Sequence, residues 1–173
     1  MALLAGAASG QPSELEEPAT DSQDKSEELL ARGWKQSDLA ETQLRPDLLH
    51  GLKVLTIDDQ QDTRELITLA LARYGADVRA SDSASMALKM IEDWKPHVVV
   101  SDIGLPEMDG YDFMRRLREL EGDGDRIPAI AVTGYAGAMD ESKALDAGYE
   151  VHLSKPIELN ELANAIAKLS RRS

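Results

Sequence analysis

The side chains with the clearest chemical potential stand directly after short apolar runs of the sequence. They are three carboxylates, one hydroxyl and one ammonium: Asp58, Asp59, Asp102, Thr133 and Lys155. Carboxylates that lie close together repel one another, so a pKa rises unless cations compensate the charge. Mg²⁺ takes oxygen ligands and commonly uses one or two carboxylates together with a phosphate oxygen. If the five groups converge, they supply a carboxylate nucleophile, a metal site and a cationic clamp, which phosphoryl transfer to an aspartate requires.

Short apolar runs separated by helical patterns must position these groups. The predicted strands cover residues 54–57, 76–80, 98–102, 129–132 and 151–153. The run Val98-Val99-Val100 has no polar alternation, which is typical of a strand buried on both faces. Strict alternation of strands and helices with long connections predicts an α/β fold, a doubly wound five-stranded parallel sheet covered by five helices. Binding and chemistry in such sheets gather at the carboxyl ends of the strands, where the polar groups stand.

The composition excludes several classes of function. Asp and Glu total 32 against 19 Lys and Arg, and a net charge of -13 argues against a nucleic-acid-binding surface. The absence of cysteine excludes disulfides, zinc-thiolate sites and thiol catalysis. No apolar run approaches the roughly 20 residues of a membrane span. We therefore expect no membrane contact and a cytoplasmic location.

We predict two parts, an acidic N-terminal extension over residues 1–50 and a folded domain over residues 51–173. The extension holds 10 acidic and 4 basic residues, so it carries -6 of the net charge of -13. Such a composition buries too little apolar surface to offset the entropy of ordering, which favours a flexible linker or tail. Residues 26–32 can also form a short helix capped by Ser26, and a partner-docking helix is the alternative interpretation.

Residues 53–169 resemble a response-regulator receiver domain of bacterial two-component signalling. Four motifs in order carry the resemblance: Ile57-Asp58-Asp59, the stretch 101–110, Ala131-Val132-Thr133-Gly134 and His152-Leu153-Ser154-Lys155-Pro156. The resemblance implies the flavodoxin-like sheet with strand order 2-1-3-4-5. It also implies a partner, a histidine kinase or a histidine phosphotransfer protein, that donates its phosphoryl group from a phosphohistidine.

The resemblance implies how the carboxylates divide their work. Asp102 is the phosphoacceptor in the matching motif. Asp59, Asp102 and the backbone carbonyl of Gly104 bind Mg²⁺ directly, whereas Asp58 acts largely through water. Thus one cofactor, Mg²⁺, is expected.

The same resemblance implies a switch that starts from the phosphoryl group. Thr133 and Lys155 contact that group, and the bond between Lys155 and Pro156 is cis. Phosphorylation adds nearly two negative charges at one strand end. We hypothesise that Thr133 moves towards the new oxygens and changes the face formed by the fourth helix, the fifth strand and the last helix. Partner docking or a phosphorylation-dependent homodimer on that face is the expected output.

Two departures from the family pattern affect the switch and its lifetime. The position three residues before the lysine often carries Tyr or Phe in this family, and here it is His152. Gly104 offers no side chain to orient water, and Tyr135 stands where it would shield an acyl phosphate. The small Gly134 leaves room for the phosphoryl group to enter. We therefore expect a phosphoryl group that lasts minutes or longer, a half-life measurable in the isolated protein.

The motifs are most similar to those of receivers at the C-terminal end of hybrid sensor histidine kinases. The sequence contains neither kinase-domain nor DNA-binding-domain signals, so we expect a non-enzymatic receiver that stands alone or derives from a hybrid kinase. An Mg²⁺-dependent aspartyl-phosphate phosphatase of the haloacid-dehalogenase type is one alternative, but it needs a second acid where Gly104 stands. A pseudo-receiver that binds partners without phosphorylation is the other alternative, and it would not need the complete acid set.

Overall fold

A single five-stranded parallel sheet forms the centre of the molecule, and its strands lie in the order β2-β1-β3-β4-β5. The computed structural model describes residues 45–134 and 138–171, with the short pieces 30–31 and 36–37. The strands are β1 Lys53–Ile57, β2 Asp77–Ser81, β3 Val98–Asp102, β4 Ala129–Thr133 and β5 Val151–Ser154. The predicted fold class and strand order are therefore confirmed, and the predicted boundaries of the strands differ from those observed by one residue at most.

Helices cover both faces of this sheet. Across residues 45–134 and 138–171 they are α1 Gln61–Arg73, α2 Ala84–Trp94, α3 Gly110–Glu121, α4 Ala138–Ala147 and α5 Leu159–Ser170. Buried residues of α1 and α5 share one apolar cluster, and buried residues of α2, α3 and α4 belong to another on the opposite face. None of these helices is long and apolar enough to cross a bilayer.

Strand β3 runs through the middle of the sheet and is buried along its whole length. Its side chains alternate between the two apolar clusters: Val98 and Val100 join the α1–α5 side, and Val99 joins the side of α2 and α3. This explains the unbroken valine run, because both faces of a central parallel strand lie against helices. The run fixes where Asp102, the last residue of β3, stands at the edge of the sheet.

The folded unit also includes residues that precede β1. Residues 46–50 form a turn, and the side chain of Leu49 is completely buried within the α1–α5 cluster. The Leu49 N–H donates to the Tyr74 carbonyl at 2.8 Å. Gly75, with φ of +91°, allows the close approach, because a Cβ there would lie 2.9 Å from the Pro46 carbonyl oxygen. The division between residues 50 and 51 stays a prediction, but Leu49 packs with the domain rather than with the extension.

We predict that Leu49→Ala lowers the free energy of unfolding by about 2–5 kcal/mol, the usual range for leucine truncation in a core. Urea titration of the full chain with Mg²⁺ absent measures the change. Leu120→Ala is the matched control, since Leu120 is 57% exposed and its loss should change stability by less than about 0.5 kcal/mol. Equal midpoints for the two variants would mean that Leu49 contributes no core packing.

Candidate functional site

Four strands deliver polar side chains to the same edge of the sheet. Asp58 directly follows β1, Asp102 ends β3, Thr133 ends β4 and Lys155 directly follows β5. Asp58, Asp102 and Thr133 are almost fully buried, with exposures of 2%, 7% and 2%. Polar groups are seldom buried without partners because desolvation is costly. Their shared burial therefore marks this edge as a place where polar groups need partners within the fold.

The ammonium of Lys155 links two of the buried carboxylates. Its Nζ lies 3.0 Å from Asp58 Oδ2 and 2.9 Å from Asp102 Oδ2. Burial alone would lower the pKa of Lys155, but the hydrogen bonds with Asp102 and Asp58 outweigh it, so the pKa is raised. The lysine thus remains charged and acts as a fixed cation between the ends of β1, β3 and β5.

Asp58 is held in place by its own chain as well as by Lys155. Its Oδ1 accepts the Gln60 N–H at 2.8 Å, and the Arg64 guanidinium donates to its backbone carbonyl at 2.7 Å. Burial raises the pKa of Asp58 more than Lys155 and the Gln60 N–H lower it, and the charge of Asp102 adds to the rise. The Lys155 ammonium therefore does not fully offset the cost of burying the two carboxylates.

A third carboxylate completes the acidic group. Ligand oxygens of Asp58, Asp59 and Asp102 all lie within 4.8 Å of one another, and Asp59 is exposed. Three negative charges against one ammonium leave a net charge of about -2 by formal count, which suits a divalent cation with oxygen ligands. The raised pKa of Asp58 supports that fit, since an added cation would relieve the repulsion. The Gly104 N–H donates to Asp102 Oδ1 at 3.0 Å, while metal binding by its carbonyl stays a prediction.

Two residues that the sequence analysis did not single out fix the backbone at Asp102. A Cβ on Gly110 would lie 2.7 Å from the Asp102 carbonyl oxygen, so only glycine fits this contact. The buried Tyr149 hydroxyl donates to the Gly110 carbonyl at 2.8 Å, and burial raises the pKa of Tyr149 well above its usual range. In the sequence, the Asp109-Gly110 pair at the start of α3 is a signal for this turn. Nothing in the sequence points to the contact made by Tyr149.

The other described residues predicted for the switch lie at the ends of β4 and β5 or on β5 itself. The Lys155 N–H donates to the Thr133 carbonyl at 2.7 Å, which joins the ends of β4 and β5, and the bond to Pro156 is cis. His152 is half-buried on β5, and its Nε2 is buried without a hydrogen-bond partner among the described residues. Tyr135 lies outside the described residues.

The two glycines at this edge both leave space for a side chain. Among the described residues, a Cβ on Gly104 would meet only Asp102 Oδ1, at an ordinary 3.7 Å, and a Cβ on Gly134 would meet no atom within 4 Å. It stays a prediction that Gly104 prolongs the lifetime of the phosphoryl group and that Gly134 leaves room for this group to enter. The described residues leave room for a side chain at either position, so both are suitable for testing.

Comparison with known proteins agrees with this geometry. A family model described as the response regulator receiver domain matches residues 54–167. The chain belongs to the receiver-domain family. It is therefore a module of two-component signal transduction, as the four sequence motifs predicted.

Curated relatives include proteins of very different size. The chain is 39% identical over 118 residues to an uncharacterised 14.6 kDa protein in the sodA1 3′ region of Leptolyngbya boryana, covering 68% of this chain and 89% of that protein. It is 31% identical over 131 residues to hybrid signal transduction histidine kinase D of Dictyostelium discoideum, covering 71% of this chain but 8% of the kinase. It is 32% identical over 123 residues to the response regulator MprA of Mycobacterium tuberculosis, covering 71% of this chain and 52% of MprA. The receiver portion is what the chain shares with the latter two.

Solved receiver domains have the same architecture. A putative response regulator from Chloroflexus aurantiacus matches with a TM-score of 0.66 and 27% identity, covering 70% of this chain and 98% of that one. The receiver domain of a histidine kinase from Syntrophus aciditrophicus matches with a TM-score of 0.64 and 24% identity, covering 70% and 92%. The second likeness supports the fold alone.

We predict that Asp58→Asn raises the melting temperature of the metal-free protein at neutral pH. The folded-state pKa of Asp58 is raised, so the ionised carboxylate opposes folding above that pKa, and the cost disappears as the pH falls through it. The gain from Asn should therefore shrink towards acidic pH. Calorimetry of both proteins from neutral to acidic pH measures it, and a loss of stability at neutral pH would contradict it. Asp123→Asn, in the exposed loop 122–126, is the matched control and should change little.

Proposed function

We propose that this receiver domain accepts a phosphoryl group on Asp102. The observation that supports it best is the buried Asp102 carboxylate, which lies 2.9 Å from the Lys155 ammonium and within 4.8 Å of two other carboxylates. The donor is a phosphohistidine on a histidine kinase or a histidine phosphotransfer protein. Such a function agrees with the relatives, among which are a hybrid histidine kinase and response regulators.

The transfer is a displacement at phosphorus. An Asp102 carboxylate oxygen attacks the phosphorus, the phosphorus–nitrogen bond of the phosphohistidine breaks, and the imidazole nitrogen keeps the electron pair and later takes a proton. Lys155 stabilises the negative charge that gathers on the phosphoryl oxygens, and the Thr133 hydroxyl donates to one of them. Mg²⁺, held by Asp59, Asp102 and the Gly104 carbonyl with Asp58 acting through water, would supply the additional positive charge for the transfer. The product is an acyl phosphate on this chain.

Phosphatase activity fits the site less well. A haloacid-dehalogenase type enzyme needs a general acid and base two residues after its nucleophile, and Gly104 stands there without a titratable side chain. A pseudo-receiver fits less well too, because a binding module without phosphorylation gains nothing from three clustered acids, one of which is buried so that its pKa is raised. We therefore favour slow self-dephosphorylation and no turnover of another substrate.

We predict one phosphoryl increment when the full chain is incubated with acetyl phosphate and Mg²⁺. Intact-mass spectrometry measures it, and the increment should require Mg²⁺ and disappear in Asp102→Ala. Asp123→Asn serves as the matched control, since this loop acid is exposed, and it should be labelled normally. Labelling that persists in Asp102→Ala would assign the acceptor elsewhere. No labelling in the presence of bound Mg²⁺ would favour the pseudo-receiver.

The switch in our proposal runs from Thr133 to the face formed by α4, β5 and α5. The hydrogen bond from the Lys155 N–H to the Thr133 carbonyl ties the end of β4 to the end of β5. On β5, the buried Nε2 of His152 has no hydrogen-bond partner among the described residues, so it can gain a hydrogen bond if its surroundings change. A rearrangement that supplies a partner would therefore be favoured, and His152 would report phosphorylation where an aromatic residue does so in relatives.

The same face offers a place for an output partner. A cleft of about 480 Å³ lies between β5 and α5, and the apolar residues lining it are Val151, Leu153, Ala165 and Leu169. Leu145 on α4 is 48% exposed. Leu153 and Leu169 form the buried floor of the cleft, and Val151 and Ala165 are half-buried. An apolar cleft beside an exposed leucine supports docking of a protein partner or of a second copy of the chain. The phosphorylation-dependent homodimer and the cytoplasmic location remain predictions.

We predict that beryllofluoride with Mg²⁺ shifts amide NMR resonances beyond the acidic edge, in α4, β5 and the start of α5. The phosphoryl mimic changes charge at Asp102, and the strand-end coupling carries the change to His152. His152→Ala should keep the shifts near Asp102 and lose most of those in α4. Unchanged resonances in α4 and β5 of the wild-type protein would refute the switch.

A further inference from the structure

A second cleft lies between a described piece of the N-terminal extension and helix α1 of the receiver fold. The residues described around it are Ala31, Asp62, Thr63 and Leu66, and its volume is about 500 Å³. Ala31 belongs with Leu30 to a short helical piece, whereas the other three residues form the first turns of α1. A part of the extension therefore faces α1, although residues 45–50 enter the fold at the opposite end of that helix, beside Tyr74.

The cleft adjoins the acidic group. Helix α1 starts at Gln61, immediately after the residues that hold Asp58. The Thr63 hydroxyl contacts the Gln60 side chain at 3.4 Å, and the Gln60 N–H donates to Asp58 Oδ1 at 2.8 Å. The wall of the cleft is therefore two hydrogen bonds away from a carboxylate of the site. A protein that approaches Asp102 from this side must pass over the first turns of α1.

Apolar residues on the outer face of α1 suit a covering segment. Leu66 is half-buried and Leu69 is 40% exposed, and their i, i+3 spacing puts them on one side of the helix. Leu30, in the facing piece, is 38% exposed. Burial of Leu30 and Leu69 on docking would remove exposed apolar surface from water, which favours association.

We propose that the helical piece containing Leu30 and Ala31 docks on the first turns of α1 and shields Asp102 from a protein phosphodonor. The piece and the fold belong to one chain and are separated by few residues of sequence, so docking is intramolecular, and effective concentrations on the order of millimolar are usual for short connections. A protein donor binds only those molecules in which α1 is uncovered, so its apparent affinity is the intrinsic affinity multiplied by the uncovered fraction. Small phosphodonors still reach Asp102 while the piece is docked. This regulation rests on the proposed phosphorylation of Asp102.

Cysteine alkylation of the full chain tests the shielding without using phosphorylation. The sequence has no cysteine, so Thr63→Cys introduces a single reactive thiol at the cleft. Its rates with a maleimide on a long polyethylene glycol chain and with N-ethylmaleimide are compared as a ratio. Ala31→Glu places a like charge beside Asp62 and an acid against apolar surface, so it should open the cleft. We expect the bulky-to-small rate ratio to rise several-fold in Thr63→Cys/Ala31→Glu.

Two controls separate shielding from other effects. Ala8→Glu makes the same change of charge elsewhere in the extension and should leave the ratio at Thr63→Cys unchanged. Leu120→Cys, on the exposed side of α3, should give the same ratio with and without Ala31→Glu. A ratio at Thr63→Cys that Ala31→Glu does not change would overturn the proposal.

Labelling with acetyl phosphate distinguishes this proposal from the proposed function. The wild-type chain and Ala31→Glu should be labelled at Asp102 to the same extent, because a small donor passes the shield. Labelling that rises several-fold in Ala31→Glu would contradict shielding selective for proteins. Failure of both chains to accept a phosphoryl group would refute the function of Asp102, and the alkylation ratio would still report whether the extension covers α1.

Discussion

The shared hydrogen bonds of Lys155 with Asp58 and Asp102 are the interaction on which the rest of the structure depends. The two carboxylates come from different strands and are both buried, so each would be expensive without a cation. The lysine satisfies both and ties β1, β3 and β5 together at one edge. It does not balance the charge, however, because burial still raises the pKa of Asp58 and a third carboxylate lies nearby.

Close packing around the acidic edge holds the carboxylates in place despite this imbalance. Strand β3 is buried on both faces, and Gly110 lies against the Asp102 carbonyl with Tyr149 bonded behind it. Such packing stops the carboxylates from moving apart, as repulsion would otherwise drive them to do. The fold thus maintains a negative edge that a divalent cation or a phosphoryl group with its counterions can occupy. Repulsion between the carboxylates lowers the stability of the fold, and the same negative charge is what would attract a cation.

The sequence predicted what depends on local pattern and on strand ends. The valine run indicated a doubly buried strand, and its end placed Asp102 at the edge where Asp58, Thr133 and Lys155 also arrive. Contacts made across the fold had no such signal. Leu49 lies in a stretch whose composition is polar overall, so its burial against α1 and α5 was missed.

Supporting contacts near the site escaped prediction for the same reason. Arg64 in a helix gives no sign that its guanidinium bonds the Asp58 carbonyl, and Tyr149 follows a helix end without any pattern pointing to Gly110. For His152 the sequence indicated an altered switch position, but only the packing reveals that its Nε2 is buried without a hydrogen-bond partner among the residues described.

The first turn of α1 connects the acidic edge with the surface of the molecule. Gln60 and Arg64 hold Asp58 from within, while Asp62 and Thr63 line the cleft that Ala31 faces. In our proposal the covering segment limits the access of a protein donor to this edge and leaves the carboxylates in place. The first turn of α1 can therefore do two things at once, because its inner side fixes a carboxylate of the site and its outer side faces Ala31 of the extension.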